Sequence, residues 1–435
     1  MITLYLGPGH DDAPVSYADM TLCPPPTATP ETLGELLDAV SPRLRDGGAL
    51  HLAGPWTKLL APFTEHPEDG THTVTSGRWS ARAQDGDTWL RWTTGAGDSR
   101  RTIWTGEVDA IEPGDRDTPL IAEHPFVTAV HLAQWARRTG HPWTGVPAMT
   151  GNGLLVDSIG RGRNAPYWAP RQGEWKLGDI ERPYSHADWA PPHVPLGEFE
   201  HAYDLNLAYL SACINAELPA DQLQPSGPRE FDRSEGGLWR ADLSPWTHAH
   251  LPDPAGYAPA LPDGTRWVTT PTLTLLDELE RQGLYGGFAI REARTAPGRR
   301  VTRAWGTQLR DIIQNPDTTE QSTAARRVYK STYGLWRRGG LVNRPDWHYS
   351  IIALARVNLW RKLRAAADAG HVLAGLDATD AVRYRSDSPD WATAAPLPWN
   401  LDPSGLRLGA FKPGRGTYVP PAPMPEPQPE PEETP

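Results

Sequence analysis

The chain has 435 residues, with 42 Lys+Arg against 53 Asp+Glu and a formal net charge of −11. That length suits about two to three domains with sizeable cores. The charge argues against a wholly basic, histone-like binder. The two cysteines, Cys23 and Cys213, are too few for a disulfide scaffold and form no CxxC knuckle. No run approaches 18 apolar residues, and MITLYLGPGHDD lacks the basic and apolar regions of a secretory signal. A reducing, cytoplasmic setting without a membrane is therefore expected. Only five of the basic residues are lysines (Lys58, Lys176, Lys330, Lys362, Lys412), a bias of composition that weakens any argument from arginine alone. The 19 tryptophans are scattered, which favours core packing over ligand stacking.

In chain order, MITLYLG predicts a strand, PETLGELLDAVSPRLRD an amphipathic helix opened by Pro30, and ALHLAG a second strand. TWLRWTT with TIWTGEV predicts a hairpin. PFVTAVHLAQWARR has helical periodicity over 125–138, and 162–196 read as an extended connector rich in Gly, Pro and Trp. A second unit follows. EFEHAYDLNLAYLSACINA begins as a strand and becomes a helix. GLWRADLSPW is a strand, RWVTTPTLTLLDELERQG a strand feeding a helix, and GGFAIREARTA another strand. TEQSTAARRVYKSTYGLWRR and YSIIALARVNLWRKLRAAADAG are helices, and VLAGL and AVRYRS are short strands around Asp377 and Asp380. The last 17 residues hold eight prolines and four glutamates, the composition of a disordered acidic tail. No internal repeat is visible.

Charge is uneven. From Arg294 to Arg344, eleven Arg/Lys face Asp311, Asp317 and Glu320, a local balance of +8 that suits a phosphate-facing surface or a solvated helix face. Three segments carry candidate chemistry. Asp204 stands at a strand-to-helix junction, with Asn206 and Tyr209 just after it. A carboxylate at a strand end can offer hard oxygen to Mg²⁺, or it can simply cap the helix. Arg326, Lys330 and Tyr333 fall at i, i+4 and i+7 of one helix and share a face suited to a nucleoside triphosphate or to solvent. Gly334 is read as the C′ residue ending that helix. Asp377 and Asp380 flank a hairpin tip, as turn residues or as further Mg²⁺ ligands opposite Asp204. Two metals about 3.5–4 Å apart could activate a 3′-hydroxyl and stabilise a leaving pyrophosphate.

The order of these segments resembles the family B DNA polymerases of the compact, protein-primed kind. The family's D-x-N-S-L-Y-P stands here as Asp204-Leu-Asn-Leu-Ala-Tyr209-Leu, and its K-x-x-x-N-S-x-Y-G as Arg326-Arg-Val-Tyr-Lys330-Ser-Thr-Tyr333-Gly334. Ile351-Ile-Ala-Leu-Ala-Arg356 matches the helix before the third motif, Y-x-D-T-D-S, which appears as Gly375-Leu-Asp377-Ala-Thr-Asp380-Ala. Lys412-Pro-Gly-Arg-Gly-Thr-Tyr418 sits where the family has its basic K-x-Y element, and Met149–Ile159 resembles the segment closing its exonuclease domain. The likeness spans about 125–418.

The resemblance implies an α+β fold, with a polymerase palm of antiparallel sheet and helices and short fingers. A degenerate exonuclease-like (RNase H-like) α/β domain precedes it. The implied divisions are 1–160 exonuclease-like, 161–195 connector, 196–418 palm and fingers with a vestigial thumb, and 419–435 tail. It implies that Asp204 and one or both of Asp377 and Asp380 bind two Mg²⁺ ions and that Arg326 and Lys330 bind the incoming deoxynucleoside triphosphate. Tyr333 and Gly334 would complete the nucleotide site, and Tyr209 would exclude a ribose 2′-hydroxyl. Lys412 and Tyr418 would hold the primer end, while Arg299, Arg300 and Arg303 would contact DNA. The sequence departs from the pattern at Ala378, inserted between the acidic positions, at Arg326 for lysine and at Lys330 for asparagine. The proofreading acids are not evident, and His131 falls where one is expected, so no 3′–5′ exonuclease activity is expected. Three readings follow: a template-directed DNA polymerase without proofreading, primed by DNA or a protein hydroxyl; an inactive polymerase-derived module of a linear or mobile element that binds DNA or a terminal protein; or a scaffold with no nucleic-acid role, which the net negative charge also suits.

Overall fold

A computed structural model describes residues 2–5, 15–16, 32–41, 48–52, 59–64, 71–84, 89–95, 100–107, 119–122, 125–160, 188–193, 197–337, 342–377, 380–396 and 399–414. The acidic tail, Tyr418, Ala378 and most of the 161–195 connector lie outside them.

The N-terminal part is a mixed seven-stranded sheet. Its strands are β1 (Ile2–Tyr5), β2 (Val15–Ser16), β3 (Gly48–Leu52), β4 (Thr71–Ser76), β5 (Trp79–Gln84), β6 (Trp89–Thr94) and β7 (Arg101–Glu107), in the order β2-β1-β3-β7-β6-β5-β4. β1, β3 and β7 are mutually parallel and the remaining pairings antiparallel. Helix α1 (Leu33–Val40) covers the sheet with Leu33, Leu36, Leu37 and Val40, spaced on one stripe. Its N-cap is Thr32 rather than Pro30: Thr32 and Glu35 form a reciprocal capping box, which satisfies two otherwise orphaned N–H groups. The β6–β7 hairpin matches expectation, while the β4–β5 hairpin was not foreseen. The short helix α2 (Ala61–Thr64) precedes β4.

Two helices, α3 (Pro125–Thr139) and α4 (Pro147–Ile159), follow. Although they belong to the N-terminal half of the sequence, Leu132, Trp135, Trp143, Leu154 and Leu155 share one apolar core with the C-terminal elements. α4 lies against two later helices, α7 (Arg303–Gln314) and α8 (Thr319–Leu335). Trp305 Nε1 donates to Gly151 O at 3.0 Å, and Trp336 Nε1 to Asn152 Oδ1 at 3.1 Å. At Gly151 a Cβ would stand 1.8 Å from Thr332 Oγ1 and 2.9 Å from Val328 Cγ1. Gly151→Ala therefore forces the two helices apart. Overpacking costs about 1–3 kcal/mol, more than the helix propensity alanine returns, so a loss of about 1–2 kcal/mol is expected in urea unfolding. Unchanged or higher stability would show that the helices approach less closely.

Next in the chain come β8 (Phe199–Leu205) and α5 (Ala208–Asn215), then β9 (Leu218–Pro219), β10 (Gln224–Ser226), β11 (Glu235–Leu243) and β12 (Arg266–Thr269). After α6 (Thr270–Arg281) comes β13 (Phe288–Arg299). β10-β13-β11-β12 form an antiparallel sheet, with β9 also paired to β13. Beyond α7 and α8 lie α9 (Pro345–Asp368), β14 (Leu373–Asp377), β15 (Ala381–Ser386), α10 (Trp391–Ala394) and β16 (Phe411–Pro413). The last sheet, β14-β15-β8-β16, is wholly antiparallel. The tryptophans behave as expected: Trp79, Trp92, Trp135, Trp143, Trp239, Trp305, Trp336 and Trp347 are fully buried. Among the described residues no helix is long and apolar enough to cross a membrane.

Candidate active site

The four-stranded sheet positions the site. On β8, His201, Tyr203 and Leu205 are buried and alternate with the more open Glu200, Ala202 and Asp204. On β15, Val382 and Tyr384 are buried in the same way. The buried face is an aromatic cluster in which Tyr203 packs on Tyr384, Trp391, Trp399 and Phe411, and its hydroxyl donates to Trp391 O at 2.7 Å. This packing buries one face of the sheet and leaves the other more open. There the register aligns Asp377, Ala381, Asp204 and Lys412 in one row across β14, β15, β8 and β16.

Asp380, just before β15, is brought beside Asp204, since the N–H of Leu205 donates to Asp380 O at 2.8 Å. Burial, then the Asp204 charge, pushes the Asp380 carboxyl above the usual carboxylate range, against the pull of Lys330 and Lys412. Asp377 is drawn elsewhere. Two strand spacings separate it from Asp204, about 9–10 Å, and Arg383 Nε holds its carboxylate at 2.9 Å. Of the three predicted acids, then, Asp204 and Asp380 converge and Asp377 pairs with an arginine. Among the described residues no group of three metal-ligating side chains is assembled.

The turn after Asp204 is tightly tied. Asn206 donates its N–H to Ala410 O at 2.8 Å and its Nδ2 to Asp402 O at 3.1 Å, and it accepts from Gly409 N at 3.0 Å. Leu207 has φ 53° and is the one non-glycine with positive φ among the described residues. That conformation costs about 1–2 kcal/mol, offset by burying its side chain. Leu207 occupies the N-cap position of α5 and makes no side-chain cap, so the reading of Asp204 as a helix cap does not hold. The kink delivers Tyr209 to the first turn of α5. Its ring stacks on Tyr333 at 4.9 Å, and Tyr333 stacks in turn on His348 at 5.6 Å. His348 was missed in the sequence, since a lone histidine early in a helix carries no signal of its own. Burial drives the Tyr333 phenol well above the usual tyrosine range, so it stays protonated.

Helix α8 presents Arg326, Lys330 and Tyr333 on one face, as the spacing predicts. Arg326 donates from Nη2 to Gly405 O at 2.8 Å. Lys330 is exposed as a residue, yet partial loss of water, then Lys412, Arg326 and Arg327, lower its pKa, with Asp380 opposing. None of these four cations has a carboxylate within ion-pair distance among the described residues. Gly334 does not end the helix: α8 runs to Leu335, because the fully buried Trp336 continues the right-handed turn as its C-cap.

Arg299, Arg300 and Arg303 are exposed at the end of β13 and the start of α7. Arg300 and Arg303 line an open groove with Arg138, and no residue of the acid pair borders it. The remaining basic run does not form one surface: Arg294 pairs with Glu292, Arg310 with Asp311, and Arg344 is buried against Asp346. His131 sits on α3 with Nδ1 3.2 Å from Leu120 O.

No family model and no curated protein matches the chain. Among solved structures it is similar to Phi29 DNA polymerase complexed with primer-template DNA and incoming nucleotides, with 12% identity and a TM-score of 0.49 over 83% of this chain and 75% of that one. It is also similar to Phi29 DNA polymerase complexed with single-stranded DNA, with 11% identity and a TM-score of 0.46 over 87% and 77% of the two chains. Likeness this distant carries no weight for the chemistry of the site.

Proposed function

We propose that the chain is a template-directed DNA polymerase whose nucleotidyl-transfer site is built on Asp204 and Asp380. The observation that carries this reading is their convergence on one open sheet face, flanked by Lys330 and Lys412, with Arg326 and the Tyr209–Tyr333 stack alongside. Two carboxylates that repel each other at a half-buried point form a donor set suited to Mg²⁺, which binds one or two protein carboxylates and completes its shell with water and substrate phosphate. Bound there, Mg²⁺ would supply the positive charge that two-metal phosphoryl transfer requires.

The chain's own residues do the rest. Arg326 and Lys330 grip the triphosphate, Arg326 with the N–H groups left over from Gly405. The primer 3′-hydroxyl gives its proton to solvent water and bonds to the α-phosphorus as the α–β phosphoanhydride bond breaks and pyrophosphate departs, and the same cations stabilise the leaving group. Lys412, in register with Asp204, holds the primer end. Arg299, Arg300 and Arg303 contact the DNA backbone, and Tyr209 lies against the sugar and rejects a 2′-hydroxyl. Tyr209→Ala is expected to raise ribonucleotide relative to deoxynucleotide incorporation by about tenfold or more, since steric rejection in a shaped pocket is worth about 1–3 kcal/mol. An unchanged ratio would remove Tyr209 from the sugar pocket.

The test is incorporation of a labelled deoxynucleotide on a primed template with Mg²⁺, with Asp204→Ala as control; equal incorporation by the variant would rule out this site. A second reading, an inactive module that holds DNA or a terminal protein, is favoured by the capture of Asp377 by Arg383, which leaves two acids rather than three. Salt-sensitive DNA binding without incorporation would support it.

A further inference from the structure

On the other side of the same sheet, α5, α9 and the 400–410 turn line a half-open polar pocket of about 490 Å³, within the roughly 300–1,000 Å³ of small-molecule sites. Lys362 and Arg361 reach it from α9 and Arg407 from the turn, with the Asn358 and Asn400 amides between them, and no carboxylate lines it. Arg361 is shared with Glu278 of α6 at 2.7 Å. Lys362 is half-buried, with its ammonium 5.7 Å from the Phe411 ring centroid. The Lys362 and Arg407 side chains enter no ion pair among the described residues, while the Asp402 carboxylate accepts from the Arg407 backbone N–H behind the pocket. Burial holds the Lys362 pKa below the ordinary lysine value. A half-buried cation without a counter-charge is costly, and an anion that it can hydrogen-bond recovers that cost.

We propose that this cavity binds a small phosphate-bearing anion, gripped by Lys362 and Arg407, with Arg361 and the asparagine amides completing the donor set. Its volume suits a compact ligand rather than a duplex. The site is separate from the acid pair: Asp204 and Lys412 face the open side of the sheet, while Leu205 and Phe411 lie on the buried side. The two are joined by the 400–410 turn, which carries both Arg407 and Gly405, the acceptor of Arg326. The proposal stands whether or not the chain is a polymerase.

The experiment titrates pyrophosphate and orthophosphate into Lys330→Gln protein without Mg²⁺, so that cations on the open face contribute least, and follows binding by calorimetry. One pyrophosphate per chain is expected, with affinity falling tenfold or more when Arg407→Gln or Lys362→Gln is added; circular dichroism confirms that each variant is folded. The exposed Arg407 can be altered without touching the core, so its variant remains informative if Lys362→Gln unfolds. Absence of binding, equal affinity in the Arg407→Gln protein, or binding of a single-stranded oligonucleotide but of neither phosphate would overturn the proposal.

Discussion

Asp204→Asn and Asp380→Asn are each expected to lower Mg²⁺-dependent incorporation on a primed template by on the order of 10³-fold, whereas Asp377→Asn lowers it by less than about tenfold. The contrast follows from the sheet. Asp380 stands beside the Asp204 charge, while Asp377 is ion-paired one strand away with Arg383, which also pairs with Glu200. The same pair has an opposite signature in stability. The folded-state pKa of Asp380 is raised, so the folded chain holds that proton more tightly than the unfolded one. Its favourable contribution is therefore present below the unfolded pKa of 3.8 and is lost as pH rises through the elevated folded value. Asp380→Asn should raise the Tm at pH 7, and the gain should shrink as pH falls towards 4. Mg²⁺ should stabilise the parent protein and have little effect on Asp380→Asn. Equal losses of incorporation in all three asparagine variants would mean that Asp377 swings away from Arg383 to join the site. A stabilised Asp377→Asn with an unaffected Asp380→Asn would assign the repulsion to the wrong acid.

Which acid would adjoin Asp204 was not readable from spacing. The sequence shows two aspartates around a short hairpin tip; only the register, with Ala381 opposite Asp204 and Asp377 opposite Ala381, places one a step and the other two strands away. Elements with a single clear period were legible. β8 and β15 alternate strictly, and α8 keeps Arg326, Lys330 and Tyr333 on one face. Where two signals competed, the weaker one was right. Thr32 and Glu35 spell a capping box, but Pro30 looked like the helix start. Trp305, Leu309, Ile312 and Ile313 give α7 a full apolar stripe, hidden in a segment read for its charge. Gly334 looked like a terminator, yet a helix ends where packing ends, and Trp336 is still in the core. The left-handed Leu207 had no signal at all, because a leucine is placed there by its burial and by the ties on Asn206 rather than by preference.

Arg344 shows why charge counting along the chain overstates a phosphate-facing surface, and its removal should be the largest stability change outside the site. It is 1% exposed and Asp346 is 0% exposed. Its Nη2 lies 2.7 Å from Asp346 Oδ2 and its Nε 3.0 Å from Oδ1, and Nη2 also donates to Pro219 O at 2.7 Å. Its guanidinium carbon stands 4.5 Å from the Trp347 ring, and Trp347 Nε1 donates to the same Pro219 carbonyl at 2.8 Å. Asp346 also sits in the first turn of α9, where the helix dipole favours a negative charge. Arg344→Ala leaves that carboxylate buried and unpaired and is expected to cost about 3–5 kcal/mol in chemical unfolding. Removing both charges, as Arg344→Met with Asp346→Leu, should recover part of that loss. It should not recover all of it, because Arg344 also bridges the Pro219 and Asp221 carbonyls, of which Pro219 keeps only the Trp347 donor. The cycle separates two roles. Full recovery in the double variant would make Arg344 only a counter-ion for Asp346, and a single-variant loss below about 1 kcal/mol would mean water reaches the pair. An intermediate recovery is the mark of an arginine that clamps β9 to the start of α9.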